Sequence, residues 1–232
     1  MILRPTLRRL FSTTTSTPPT PQLRHKLTND QLATFHHQGY LHVPNFFTQN
    51  ECNLLLDTIS QDESITTQVM PMEDSTGRSS KLTLWFHLGD DTYSAFGRSN
   101  SLVTAAKDLI GEEPYHFHTK IMLKEPRVGG QWEWHQDFGY WYAQGLLQPD
   151  QCFSCILAID RHTKENGCLQ VLKGSHKLGR LEHGIYGGQA GIDPQRLTPA
   201  MEKFELIHCE LNAGDMLFTH SNLLHASAAN NR

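Results

Sequence analysis

The chain has no long apolar run, no cysteine framework, no basic stripe and no internal repeat. Across its 232 residues no stretch approaches the roughly 18–20 apolar residues of a membrane span, so no membrane span is expected. The formal net charge is −4 without clustering of lysine or arginine, which argues against nucleic acid as a partner. Five cysteines (Cys52, Cys152, Cys155, Cys168, Cys209) make an odd, scattered set, read as reduced thiols of an intracellular protein. Cys152 and Cys155 form a C-x-x-C, but within a strand an odd offset sends two thiols to opposite faces. A zinc site would also need a second pair, and the sequence has none.

Acid is missing from the first 29 residues; Asp30 is the first. Arg4, Arg8 and Arg9 stand among Ile2, Leu3, Leu7, Leu10 and Phe11, followed by a Ser/Thr/Pro run. This composition is that of a mitochondrial or plastid transit peptide, with Arg9-Leu10-Phe11-Ser12 resembling a cleavage site. A mitochondrial location is therefore expected for residues 27 onward, with the cytoplasm as the alternative.

What remains is long enough for one sizeable core, and fourteen histidines point to metal or proton chemistry. Thr28 or Asn29 can cap a helix running through His37 and stopped by Gly39. YLHVPNFF (40–47) alternates like a short strand, and Thr48 caps a second helix over 49–61. Residues 71–80 read as a polar loop, 81–88 as a strand and 101–111 as a third helix closed by Gly111. After Pro114 come short strands over 115–124, 132–138, 152–160, 168–174, 204–211 and 215–227, separated by turn chemistry. The expectation is a mostly β protein: a helical N-terminal part over 27–113 packed on an antiparallel sandwich or barrel over 114–232. Residues 178–200, glycine-rich and longer than a hairpin needs, read as a loop of the lid or substrate-binding kind.

The chemistry concentrates in QWEWHQDFGYWY (131–142), where His135, Gln136 and Asp137 sit among aromatics. On a strand, His135 and Asp137 share a face and Gln136 points the other way. An imidazole nitrogen and a carboxylate oxygen then make two corners of a metal site. A second histidine would complete a facial triad of the kind that holds non-haem Fe(II) with open positions. The candidates are His208, His220 and His225. His220 and His225, five apart, face opposite ways in one regular strand; the small polar neighbours of His225 favour it, and His220 stays open. His176, in GSHK (174–177), reads as structural or substrate-side.

WHQD, then ENGCLQVLKGSHK (165–177), then GDMLF…H…LLHAS (214–227), together with LTNDQLATFHHQGYLHVPNFF, resemble the phytanoyl-CoA dioxygenase family from about Leu27 to the last residue. The resemblance implies a double-stranded β-helix, the jelly-roll or cupin-like fold. It implies Fe(II) on His135, Asp137 and His225, 2-oxoglutarate as co-substrate and ascorbate as reductant. It implies 2-oxoglutarate contacts at Gln136 and Ser227 and a further one at Lys81, while Ile121 and Ile156 stand where relatives carry a methionine and a tryptophan. The partners are then dioxygen and a small-molecule substrate, and the reaction is hydroxylation of a C–H bond in a small organic compound or acyl derivative. The family also holds the distal carboxylate of 2-oxoglutarate with an arginine about eleven residues past the last ligand. Counted from His225 that position falls beyond Arg232, so the last strand or strands of the jelly roll are expected to be missing and to leave an unpaired edge. Two other readings follow: a truncated, catalytically incomplete metal-binding jelly roll of the same family, and a cupin-type metal enzyme that does not use 2-oxoglutarate.

Overall fold

The structure is a computed structural model that describes residues 26–66, 69–146, 148–186 and 188–232. The leader sequence expected over residues 1–26 lies, apart from Lys26, outside the described residues. Helix α1 (Asn29–Gln38) starts where the capping signals say: the Thr28 hydroxyl accepts from the Gln31 N–H and the Gln31 side chain returns the bond to Thr28. Gly39, at φ 81°, ends it in the left-handed conformation. Strand β1 (Tyr40–Val43) follows, and Thr48 and Glu51 make the same reciprocal cap for α2 (Gln49–Gln61). The chain continues through α3 (Glu63–Thr66), β2 (Met70–Glu73), β3 (Ser79–Trp85), α4 (Thr92–Gly97), α5 (Asn100–Ile110), β4 (Thr119–Leu123) and β5 (Trp132–His135). Then come α6 (Asp137–Trp141), β6 (Phe153–Leu157), β7 (Leu169–Leu172), β8 (His183–Tyr186), β9 (Gln189–Ile192), α7 (Pro194–Lys203), β10 (Leu206–Cys209), β11 (Met216–His220) and β12 (His225–Ser227).

Two antiparallel sheets face one another, ordered β1-β11-β6 and β10-β7-β12-β5. Register assigns the faces. Leu41, Val43, Met216 and Phe218 lie on one side of the first sheet and pack with Phe35, Cys52, Ala105 and Leu109 of the helices. Leu217 and Ile156 lie on its other side and meet Val171, Leu169, Ile207 and Cys209 of the second sheet. That seam is the interior of the jelly roll. The outer face of the second sheet, through Leu172 and Leu224, is covered by Ile192, Leu197 and Ala200.

A third sheet, β2-β3-β4, carries the N-terminal part into the barrel, and β1 pairs with β11. The helical and strand-rich parts thus share sheets across residue 113. Among the described residues β4 bonds only to β3, and β6 only to β11, so each is an edge strand. All five cysteines are free thiols.

Three expectations need correction. Residues 71–80 are not a loop but most of the β2–β3 hairpin: Asp74 Oδ1 accepts from the Thr76 and Arg78 N–H groups and builds the turn from its own side chain. Residues 178–200 hold the β8–β9 hairpin and most of α7. The Asp193-Pro194 pair is that helix's cap and first residue, with Asp193 accepting from the Gln195 N–H. Finally, the strand expected over 132–138 stops at His135 and Asp137 opens a helix.

Candidate metal centre

His135 closes β5 directly opposite His225, the first residue of β12. Both project into the seam, because His225 shares the register face of Val171. Gln136 is still extended, at φ −117° and ψ 133°, so the alternation carries past the strand end and aims Asp137 the same way. The Phe138 N–H, bonded to Ser221 O, then turns the chain into α6.

Each imidazole is held in one tautomer. His135 Nδ1 donates to Glu133 O at 2.7 Å and His225 Nδ1 donates to Leu223 O at 2.9 Å. A carbonyl only accepts, so the Nε2 lone pairs are the free ones. They face Asp137 Oδ1 at 3.7 and 3.9 Å, with ring centroids 4.1 Å apart. These separations are too long for hydrogen bonds. All three donor atoms nevertheless lie within 4.8 Å of one another, close enough to share one ion. Asp137 Oδ2 accepts from Ser154 Oγ at 2.7 Å, which fixes the carboxylate plane. The cluster is deeply buried, with His135, Asp137 and His225 at 3%, 5% and 4% exposure.

Burial drives the His135 pKa well below the usual imidazole range, and the neighbouring His225 pushes the same way. Burial alone would raise that of Asp137. The Lys120 charge, the two histidines and the Ser154 hydroxyl outweigh it and hold the carboxyl well below its ordinary range. A neutral His135 imidazole beside an ionised Asp137 carboxylate gives the protonation states a divalent cation requires of those two ligands. Two nitrogens and one oxygen on one side of an ion suit non-haem Fe(II) with open positions.

The other candidate histidines go elsewhere. His220 faces the helices, stacks near Phe35 and His176, and its Nε2 donates to Asp150 at 3.1 Å. His208 lies opposite Gln170, while its neighbours Ile207 and Cys209 face the seam. His176 Nε2 donates to His36 O, which makes it a structural residue at the end of α1.

Of the co-substrate positions, Ser227 is brought to the site: it lies two residues past His225 on the same strand face. Gln136 is not. Its side chain is fully buried and spent on main chain, with Nε2 donating to Gly179 O and Asn222 O and Oε1 accepting from the Leu181 N–H. Its own N–H donates to His183 Nε2. Gln136 therefore clamps the segment before β8 to the turn that carries Asp137. Lys81 is not brought in either. In the β3–β4 pair it shares a face with Leu123 and Ile121 and pairs with Glu125 Oε1 at 2.7 Å. Ile156 faces the seam and Ile121 does not.

Lys120 and Met122 occupy the opposite face of β4, toward the cluster, and Lys124, one residue past its end, turns the same way to reach Ser227. Lys120 supplies the largest charge effect on Asp137, and Lys124 Nζ donates to Ser227 Oγ at 2.6 Å. Neither lysine nor Ser154 is singled out by motif. The available signal was two lysines at strand spacing in an otherwise apolar KIMLK. Beside Asp137, Trp141, Phe117, His118 and the half-exposed Phe86 form an aromatic shelf with ring spacings of 5.1–6.4 Å.

Comparison with known proteins agrees with this geometry. The family description "Phytanoyl-CoA dioxygenase (PhyH)" matches residues 35–231. A phytanoyl-CoA dioxygenase of Arabidopsis thaliana is 26% identical over 246 aligned positions, covering 88% of this chain and 84% of the relative. An ectoine dioxygenase of Stutzerimonas stutzeri is 22% identical over 210 positions, 84% and 70% of the two chains. Among solved structures, EctD from S. alaskensis with bound Fe superposes with a TM-score of 0.73 at 20% identity, covering 88% of this chain and 72% of that one. The α-ketoglutarate-dependent carbocyclase SnoK gives 0.72 at 18%, covering 89% and 79%. At these identities the structural likeness establishes the fold.

Proposed function

Because this chain belongs to the phytanoyl-CoA dioxygenase family, we propose that it is an Fe(II)- and 2-oxoglutarate-dependent dioxygenase that hydroxylates a C–H bond of a small organic substrate or acyl derivative. The observation that carries this reading is the buried convergence of His135 Nε2, His225 Nε2 and Asp137 Oδ1. These three atoms would hold the iron. Iron held there would supply the redox chemistry that couples oxidative decarboxylation of 2-oxoglutarate by dioxygen, to succinate and carbon dioxide, to oxidation of the substrate. The chain's own residues orient and exclude. The Glu133 and Leu223 carbonyls fix the two rings, Ser154 fixes the carboxylate, and the packed seam keeps bulk water from the reacting face.

The aromatic shelf of Phe86, Phe117, His118 and Trp141 supports a substrate with an apolar surface presented beside Asp137. Ascorbate is the reductant proposed to keep the iron ferrous. The composition of residues 1–29 supports delivery to mitochondria, to be checked with a fluorescent fusion of that segment.

The test is anaerobic titration of 2-oxoglutarate into the Fe(II)-loaded protein, followed by oxygen uptake and succinate release. Saturable binding and 2-oxoglutarate-dependent uptake are expected. Metal binding with oxygen uptake indifferent to 2-oxoglutarate would favour a cupin-type enzyme instead. A second reading is a jelly roll that holds metal without turning over. Iron binding with no 2-oxoglutarate binding would establish it.

A further inference from the structure

Just past the end of β4, Lys124 is a cation with no counter-charge among the described residues. Lys124 is half-buried, and its Nζ donates to Ser227 Oγ at 2.6 Å and to Ala228 O at 2.7 Å, both neutral acceptors. Among the described residues no carboxylate lies within ion-pair distance of it. The acid that acts on it most is Asp74, whose oxygens already accept from the Thr76 hydroxyl and N–H, the Arg78 N–H and the Gln131 N–H. Arg78 adds repulsion, and burial lowers the lysine's pKa to about 8. An ammonium withdrawn from water without an anion is costly, and such an arrangement is relieved when a ligand brings the anion.

The position says which anion. Ser227 stands two residues past His225 on one face of β12, about 6.6 Å along the strand. A keto acid held at the metal by its 1-carboxylate and keto oxygen would send a chain of two methylenes over that distance. Ser227 accepts from Lys124 and keeps its own hydroxyl hydrogen to donate, so the pair offers two convergent donors.

We propose that Lys124 and Ser227 form the anchor for the far carboxylate of 2-oxoglutarate in this chain. This rests on the reading of the triad as an iron and 2-oxoglutarate site. Lys81 already spends its charge on Glu125, on the opposite face of the strand pair.

Two keto acids separate the possibilities. 2-Oxoglutarate and 2-oxobutyrate share the chelating end, and only the first has a far carboxylate. Both are titrated anaerobically by calorimetry into the Fe(II)-loaded 232-residue chain, as wild type, Lys124→Gln, Lys124→Arg and Ser227→Ala. Iron titration and thermal melting of each variant are run in parallel. Wild type is expected to prefer 2-oxoglutarate. Lys124→Gln should weaken it on the order of 10- to 100-fold and leave 2-oxobutyrate unchanged, as loss of a charge-assisted hydrogen bond requires. Lys124→Arg should restore part of the preference. Ser227→Ala, which keeps the charge, should reduce it about threefold or more. If Lys124→Gln does not fold, the Ser227→Ala and Lys124→Arg ratios decide.

An unchanged preference in the variants overturns the anchor while leaving the proposed function standing. Equal weakening of both keto acids also overturns it, since it marks a structural role. If iron-loaded wild type binds neither keto acid, the proposed function fails and the anchor fails with it.

Discussion

Two pairs of imidazoles lie inside this protein at similar spacing, 4.1 Å between the rings of His135 and His225 and 5.0 Å between those of His176 and His220. Only the first is built to take a ligand. In the first pair each Nδ1 is spent on a carbonyl and both Nε2 atoms converge on a buried carboxylate. In the second pair His220 uses both nitrogens, one toward Asp150 and one accepting from the Asn222 N–H, and His176 Nε2 bonds His36 O. Only His176 Nδ1 is left without a partner, and the nearby carboxylate, Asp150, is bonded to His220 Nε2. Burial and proximity are common to both. What distinguishes the metal site is that its hydrogen bonds leave the converging lone pairs unspent.

The largest expected effect tests that difference directly. Asp137→Ala should weaken Fe(II) binding more than about 100-fold and abolish 2-oxoglutarate-dependent oxygen uptake, because it removes one of three ligands. His220→Asn should leave metal affinity within about threefold and act on stability alone, by about 1–3 kcal/mol, through its lost hydrogen bonds. Metal titration alongside denaturant unfolding reads both. Loss of metal binding in His220→Asn would mean that the two pairs are coupled and the comparison is wrong.

A middle-sized effect comes from the glycine beneath the second pair. Gly39 sits at φ 81°, and a Cβ placed there would collide with His176 Nδ1. Gly39→Ala therefore meets both left-handed strain and a collision and should cost about 2–3 kcal/mol. Gly77, at φ 79° with open space around it, carries the strain alone, so Gly77→Ala should cost about 1 kcal/mol. Equal costs in thermal or urea unfolding would show that His176 moves aside freely.

Acid should find the second pair before the global carboxylates do. Burial lowers the His176 pKa to about 4 from an ordinary 6.5. A depressed folded value means the neutral ring stabilises the fold at pH above about 6.5, and that this contribution is lost as pH falls from there toward 4. Between pH 7 and pH 5 wild type should lose about 1–2 kcal/mol that His176→Gln does not lose. Unfolding at the two pH values gives the difference, and parallel losses in both proteins would remove His176 as the cause.

How much of this was written in the sequence depends on whether a local rule governed the residue. The caps at Thr28 and Thr48 and the stops at Gly39 and Gly111 follow from local spacing, and the structure repeats them. Spacing left His220 open beside His225, and it was the family resemblance that pointed to His225, which the structure places with His135 and Asp137. The H-Q-D stretch was legible in outcome but not in form, since the strand ends at His135 and only the extended Gln136 carries the alternation on to Asp137. Residues 178–200 looked like loop because glycine obscured the alternation in β8 and β9, and a second proline, Pro199, lies within α7. Gln136 and Lys81 have other partners in the structure, for another reason. Their roles depend on what the opposite side of the chain offers, main-chain groups at 179–181 for one and Glu125 for the other, and no local pattern encodes that.

The smallest expected effect separates the lysines as the first test separates the histidines. Lys81 and Glu125 form an ion pair at 2.7 Å with side chains 35% and 50% exposed, so solvent screens it. Such pairs contribute about 0–1 kcal/mol. Lys81→Ala should therefore shift stability by less than about 0.5 kcal/mol, since the strand pairing with Pro71 and Leu123 uses backbone alone. Its affinity for 2-oxoglutarate should match wild type, because the side chain leaves β3 on the face away from Ser227 and His225. Calorimetry on Lys81→Ala beside Lys124→Gln puts the two lysines in one experiment. A loss of 2-oxoglutarate binding at Lys81 would mean that β3 turns its other face to the cluster when the co-substrate enters, and that motif resemblance located the cation better than register does.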